Sequence, residues 1–147
     1  HNNSRFLATP PGGGAVTRVL SPTVPGAVSS PFGMRMHPIL RVRRLHNGVD
    51  LQAGCGQPIL AAAPGRVSRI SHDSQSGHRL ELDHGVVGGH RLVTIYLHAT
   101  GWSVRAGHRV ARGQVVGRVG STGLSTGCHL HFSVKVDGLY VDPERFR

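Results

Sequence analysis

The chain has 147 residues, which is enough for one domain with a hydrophobic core and too short to suggest two. It contains 21 glycines and 38% hydrophobic residues, and many glycines with short apolar runs argue against a helix bundle. No apolar segment is long enough to span a membrane. The formal net charge of +10 either serves solubility or indicates an anionic partner, such as nucleic acid, a membrane surface or a cell-wall polyanion. Nucleic acid is not expected, because the arginines are scattered and no DNA- or RNA-binding motif is present.

The first segment of the chain, residues 1–25, is dominated by Pro, Gly, Ser and Thr. This composition predicts a linker or a loosely attached arm that would join the domain to an upstream part of a longer parent chain. From residue 26 onward, short apolar runs alternate with turn residues every eight to twelve positions. Residues 26–147 are therefore predicted to form one mostly antiparallel β domain, a compact sheet sandwich or partial barrel with long loops.

Five stretches carry the clearest strand patterns. "QPILAAAPGRVSRIS" predicts two strands around a turn at Pro64 and Gly65, and "HRLELDHG" and "HRLVTIYLHA" predict a hairpin joined by the loop "GVVGG". "GHRVARGQVVGRVG" predicts short strands separated by glycine. "CHLHFSVKVDGLYV" predicts a long alternating strand, a turn at Asp137 and Gly138, and a short return. No stretch predicts a long amphipathic helix.

The two cysteines, Cys55 and Cys128, lie 73 positions apart and form no CxxC motif. They are either two buried thiols or a single disulfide. In an exported protein the disulfide is the favoured alternative.

Eleven histidines are more than packing requires, and three segments place them beside possible partners. In "LHNGVDL", His46 and Asp50 would share one face if the segment were extended, with the space at Gly48 left open. His129 and His131 share a face of the last long strand, with Leu130 and Phe132 facing the core. Taken alone, that pair is better explained as two solvent-facing histidines.

His98 adds a fifth candidate at the end of the apolar strand "TIYLHA". A catalytic zinc ion needs three protein ligands and an open fourth position. Five candidates therefore leave two groups that could move protons and stabilise charge during hydrolysis. The H-E-x-x-H signature is absent, which excludes a thermolysin-like arrangement.

An ordered series of motifs resembles the M23 family of zinc metallopeptidases, of the lysostaphin and LytM type. The series covers about residues 30–146 and consists of "SPFGMRMHP", "HNGVD", "AAAPGRV", "LDHG", "YLHA" and "GQVVGRVGSTGLSTGCHLHF". The resemblance implies a β-rich fold in which an antiparallel sheet forms the floor of a groove. It also implies cleavage of peptide stems or cross-links in bacterial peptidoglycan.

Position by position, the resemblance implies one zinc ion held by His46, Asp50 and His131. It implies that His98 and His129 handle protons and stabilise the oxyanion, without deciding which of them is the general base. Some family members carry a tyrosine shortly before the first ligand, and this chain has none. Either one of three nearby arginines takes its place or nothing does: Arg41, Arg43, Arg44. A disulfide between Cys55 and Cys128 would clamp the two ligand strands together.

The expected function is therefore a zinc-dependent endopeptidase acting on peptidoglycan, outside the cytoplasm, as a monomer. Anionic wall polymers are a possible further partner of the basic chain. Arginine is used almost exclusively over lysine, with Lys135 as the only exception, which suggests a GC-rich genome and favours D-alanyl–diaminopimelate cross-links. The alternatives are a non-catalytic module that binds wall or activates an amidase, and a wall-degrading domain of a phage virion.

Overall fold

The computed structural model describes residues 19–147 with the exception of residue 38. The described part folds into short and long strands followed by a 3-10 turn at Pro143–Arg145. The strands are β1 (Val28–Ser30), β2 (Gly33–Met36), β3 (Arg43–His46), β4 (Val49–Gln52), β5 (Pro58–Leu60), β6 (Gly65–Asp73), β7 (Gly77–Val87), β8 (His90–Ala99), β9 (Gly101–Trp102), β10 (Arg109–Val110), β11 (Val115–Arg118), β12 (His129–Val136) and β13 (Leu139–Val141). None of the described residues belongs to a helix long and apolar enough to cross a membrane.

One large antiparallel sheet dominates the molecule. Its strands run in the order β1-β4-β12-β8-β7-β6-β10, with β13 pairing with the far end of β12. A three-stranded sheet, β5-β11-β9, and the hairpin β2-β3 complete the described fold. The prediction of a mostly antiparallel β domain is therefore confirmed.

Strand β12 lies at the centre of the large sheet, between β4 and β8. Its alternation divides the sheet into two faces, as the sequence predicts. Leu130, Phe132 and Val134 are buried in the core. His129 and His131 therefore point to the opposite face, which is the face that carries the cleft described below.

The hairpin of β7 and β8 differs from the prediction in its turn. The sequence pattern predicts that the five residues "GVVGG" form the loop, but β7 continues to Val87 and only Gly88 and Gly89 connect the strands. Both glycines have positive φ, of 60° and 85°, which a two-residue hairpin turn of this kind requires. Gly85, at φ 76°, lies at a register shift that allows the next two valines to remain paired with β8.

The predicted arm, residues 1–25, falls largely outside the described residues. Its last part is described from residue 19 onward and is packed against the domain. Leu20 and Val24 are buried in the core. The backbone N–H of Leu20 donates to the carbonyl of Phe146 at 2.8 Å, so this segment contacts the C-terminal end of the domain.

Candidate functional site

A cleft of about 480 Å³ lies above the centre of the large sheet. Its floor comes from three neighbouring strands. In the pairing of β12 with β4, His131 lies directly opposite Asp50. His98 comes from β8, on the other side of β12. The structure therefore brings all five residues singled out in the sequence to one cleft: His46, Asp50, His98, His129, His131.

The segment from His46 to Asp50 does not form one extended strand. His46 ends β3, Asp50 lies in β4, and the chain bends between them at Asn47 and Gly48. The sequence pattern also predicts open space at Gly48, and this prediction is wrong. A Cβ atom at Gly48 would come within 2.9 Å of Nε2 of His131, and closer still to the backbone of β12. Glycine is needed here because the bend packs directly against β12, and this packing directs His46 toward Asp50.

Three imidazole nitrogens surround one carboxylate oxygen in this cleft. Oδ1 of Asp50 lies 3.0 Å from Nδ1 of His131, 3.3 Å from Nε2 of His46 and 3.5 Å from Nε2 of His129. The ligand atoms of His46, Asp50 and His131 all lie within 4.8 Å of one another. A single small cation can therefore contact all three groups.

The hydrogen bonds of the two buried histidines limit which ring nitrogens can bind a metal. Nδ1–H of His46 donates to the carbonyl of Pro31 at 2.8 Å, so its Nε2 is unprotonated in the neutral ring, and this buried atom makes no hydrogen bond. Nε2 of His131 lies 2.9 Å from the hydroxyl of Ser133 and 3.1 Å from Oδ1 of Asn47, and its Nδ1 lies 3.0 Å from Oδ1 of Asp50. With the ring proton on Nδ1, His131 donates to Asp50. With the ring proton on Nε2, the lone pair on Nδ1 and the lone pair of His46 both face the carboxylate, and these atoms form the nitrogen and oxygen set that zinc prefers.

Electrostatics keep the two central groups in the protonation states that a metal ligand needs. Burial raises the pKa of Asp50, but the contacts with His131 and His46 outweigh burial and hold the pKa well below its usual range. Burial lowers the pKa of His131, and the neighbouring His46 and His129 lower it further against the opposing effect of Asp50. A carboxylate and a neutral imidazole are therefore the forms present near neutral pH.

His98 reaches the cleft through a local break in the alternation of β8. Tyr96 is buried in the core, and in a regular strand His98 would face the core as well. Instead His98 has φ 67°, a left-handed conformation that is uncommon for a residue other than glycine, and the register of β7 and β8 shifts at this point. The bulge turns the imidazole to the cleft side of the sheet. Such local strain is typical of functional sites.

The two remaining histidines lie side by side, with ring centroids 5.1 Å apart. Nδ1–H of His98 donates to the carbonyl of Thr122 at 2.7 Å, and Nδ1–H of His129 donates to the carbonyl of Gly127 at 2.9 Å. Each neutral ring therefore keeps an unprotonated Nε2. The pKa of His98 is lowered to about 4, chiefly by burial, with His129 and His131 contributing and the bond to Thr122 opposing them. His98 is thus a neutral proton acceptor near pH 7.

Sequence reasoning missed the groups that orient these rings. The sequence could have indicated Ser133, because it follows His131 by two positions and so shares its face of β12. Asn47 is adjacent to His46, but its bond to His131 depends on the bend at Gly48. The carbonyls of Pro31, Thr122 and Gly127 carry no sequence signal, since every residue has one.

A disulfide joins Cys55 to Cys128, as the sequence hypothesis favours. Cys55 lies in the loop after β4, and Cys128 immediately precedes β12 and lines the cleft next to His129. The bond therefore links the loop that follows the strand of Asp50 to the start of the strand of His129 and His131.

We expect the Cys55→Ser, Cys128→Ser double variant to lose about 2–4 kcal/mol of unfolding free energy. The cross-link closes a loop with a sequence separation of 73, so its removal gives substantial conformational entropy back to the unfolded chain. Urea denaturation of the variant and of the oxidised and reduced wild type measures the effect. Reduced wild type should match the variant. Equal midpoints for oxidised and reduced protein would contradict the expectation.

Fold and site together define an antiparallel β protein with a buried His/Asp/His cluster and two further histidines in an open cleft. The family model for peptidase family M23 matches residues 44–143. The chain belongs to this family, and the resemblance noted in the sequence is confirmed.

Curated relatives agree with the family assignment. The chain is 40% identical over 124 residues to the DD-carboxypeptidase/endopeptidase Mpg of Neisseria meningitidis, which covers 84% of this chain and 28% of the relative. It is 37% identical over 117 residues to the peptidoglycan DD-endopeptidase ShyC of Vibrio cholerae, covering 79% of this chain and 26% of the relative. The chain thus spans about a quarter of the length of these relatives.

Solved structures share the fold. A zinc-containing peptidase from Vibrio cholerae superposes with a TM-score of 0.76 at 31% identity, covering 90% of this chain and 40% of that chain. The catalytic domain of lysostaphin from Staphylococcus simulans gives a TM-score of 0.71 at 28% identity, with 80% of this chain and 89% of that domain covered. The lysostaphin-like fold class predicted from the sequence is therefore confirmed.

Proposed function

We propose that this chain is a zinc-dependent endopeptidase that hydrolyses peptide bonds in bacterial peptidoglycan. The observation that carries the proposal is the convergence of the His46, Asp50 and His131 ligand atoms, with the unprotonated Nε2 atoms of His98 and His129 available in the same cleft. The names of the relatives, a DD-carboxypeptidase/endopeptidase and a peptidoglycan DD-endopeptidase, support the substrate class. The zinc-containing peptidase of the same fold supports the metal.

His46, Asp50 and His131 are the residues that would hold the zinc ion. When bound there, zinc supplies a Lewis acid that lowers the pKa of a coordinated water and polarises a carbonyl group. With one carboxylate and two neutral imidazoles, the protein contributes a single negative charge to the site. Hydrogen-bond partners of the ring nitrogens that face away from the metal, namely Pro31, Asn47 and Ser133, would fix the orientations of both histidine ligands.

His98 and His129 are the proton-handling groups of the proposed reaction. Their Nδ1–H bonds to backbone carbonyls fix the orientation of both rings and, in the neutral form, select the tautomer whose Nε2 carries the lone pair. One ring accepts the proton of the attacking water. A histidine then delivers a proton to the leaving amine, and the other ring stabilises the oxyanion.

We further propose that the bond cleaved is the D-alanyl–diaminopimelate cross-link. The relatives named as DD-endopeptidases support this choice over glycyl-glycine bridges. The disulfide at the cleft supports a site of action outside the cytoplasm, since such bonds persist in oxidising compartments. A non-catalytic wall-binding or amidase-activating module is less well supported, because all three ligand positions and both further histidines are present.

Digestion of purified peptidoglycan tests the proposal. Sacculi with direct diaminopimelate cross-links and sacculi with pentaglycine bridges are incubated with the protein, and the released muropeptides are identified by mass spectrometry. We expect dimers of the first type to be converted to monomers, a chelator to stop the reaction, and added zinc to restore it. Intact dimers in zinc-loaded protein would refute an endopeptidase function, and cleavage of only the glycine bridges would refute the proposed bond.

A further inference from the structure

Arg44 lies on the cleft side of β3, two positions before His46. Residues two apart in a strand point to the same face, so the guanidinium group is presented on the face that carries the proposed ligand. Arg44 lines the cleft and is exposed. It makes no hydrogen bond or ion pair with any residue that the structure describes. The neighbouring Arg43 is also exposed but does not line the cleft.

Arg44 differs from the other charged residues that line the cleft. Among the described residues that line the cleft, Asp50 is the one carboxylate, and it belongs to the candidate metal centre. Arg79 lines the cleft on the side of β7, but its Nε already donates to Glu81 at 2.9 Å and its terminal nitrogen to Tyr140 at 3.4 Å. Among the described residues that line the cleft, Arg44 is therefore the guanidinium without a hydrogen bond or ion pair inside the protein.

The spacing between Arg44 and His46 along β3 indicates where on an extended substrate such a ligand would lie. Two residues of a strand span about 7 Å, and an extended peptide substrate advances by about 3.3 Å per residue. A group bound by Arg44 would therefore belong to a residue about two positions from the scissile bond. A guanidinium group forms paired, charge-assisted hydrogen bonds with a carboxylate, which a neutral amide cannot match.

We propose that Arg44 binds a free carboxylate of the peptide stem and makes the enzyme selective for anionic over amidated peptidoglycan. The proposal rests on the proposed function of the same cleft. Stem peptides carry free carboxylates on isoglutamate and on diaminopimelate, and either group can be replaced by a carboxamide. Both carboxylates share the chemistry that Arg44 recognises, and substrates amidated at one position at a time distinguish them.

The test compares Arg44→Gln with Arg43→Gln, a matched variant that removes the same charge from the other face of the same strand. Cross-linked muropeptide dimers are prepared with both carboxylates free, with isoglutamate amidated, or with diaminopimelate amidated. We expect wild type and Arg43→Gln to lose about tenfold to a hundredfold in kcat/KM when the recognised carboxylate is amidated. Arg44→Gln should show that loss on the free substrate, with no further loss on amidation. Arg44→Lys should recover only part of the preference.

Two results would overturn the proposal. If Arg44→Gln still discriminates between free and amidated dimers, another group reads the carboxylate. If the variant loses activity by the same factor on every dimer, Arg44 either acts at the reacting carbonyl or supports the folded structure. A change in zinc content or in thermal unfolding would identify the structural role. Equilibrium binding of the same dimers to metal-free protein reports the preference even if nothing is cleaved. Failure of the proposed function would appear separately, as intact dimers with zinc-loaded wild type and Arg43→Gln.

Discussion

Asp50→Asn is expected to weaken zinc binding by more than about a hundredfold and to abolish peptidoglycan hydrolysis. The substitution preserves the size of the side chain but removes the negative charge that faces the nitrogens of His46 and His131. Without that charge the protein contributes only neutral nitrogens and an amide to the site. An amide is also a poorer ligand for zinc than a carboxylate.

Zinc content after dialysis measures this effect without reference to activity. We expect about one zinc ion per chain in wild type and close to none in Asp50→Asn. Added zinc should raise the unfolding temperature of metal-free wild type, because a ligand that binds only the folded state stabilises it, and it should leave Asp50→Asn unchanged. The control is Glu144→Gln, which removes an exposed carboxylate remote from the cleft and should behave as wild type. Full zinc occupancy in Asp50→Asn would remove Asp50 from the ligand set.

Much of this site could be predicted from the sequence because its elements are strands with a strict period of two. The alternation in β12 correctly assigned Leu130 and Phe132 to the core, and with them the face of His129 and His131. The hairpin turn at Asp137 and Gly138 was also correct, because both residues adopt the positive φ that the sequence pair favours.

The sequence predictions fail where the regular geometry of the strands is interrupted. Tyr96 and His98 obey the same alternation in the sequence, yet they face opposite sides because a bulge intervenes. The bend at Gly48 places His46 and Asp50 in different sheets, although the sequence pattern suggests one strand. Both departures depend on contacts with strands distant in sequence, so a local pattern contains no signal for them. Both also lie at the cleft, and the left-handed φ of His98 is the kind of local strain that functional sites retain.

His129→Ala is expected to retain zinc and to reduce wall hydrolysis by about a hundredfold to ten-thousandfold. The side chain lies at the rim of the metal centre, with its Nε2 at 3.5 Å from the carboxylate of Asp50, whereas His46 and His131 approach more closely and are more buried. Removing it deletes a proton-handling group and leaves the three proposed ligands in place. Loss of zinc in this variant would make His129 a ligand, and full activity would exclude it from the reaction.

His98→Ala should have an effect of similar size, and the double variant should lose far less than the product of the two single losses. Groups that act on the same proton-transfer steps behave as a unit, so that removal of either one already disables the unit. The control is His108→Ala, which removes an exposed imidazole that does not line the cleft and should hydrolyse walls as wild type does. Multiplicative losses would mean that His98 and His129 act independently. In that case their adjacent rings, both oriented by hydrogen bonds to backbone carbonyls, would serve separate steps of the reaction.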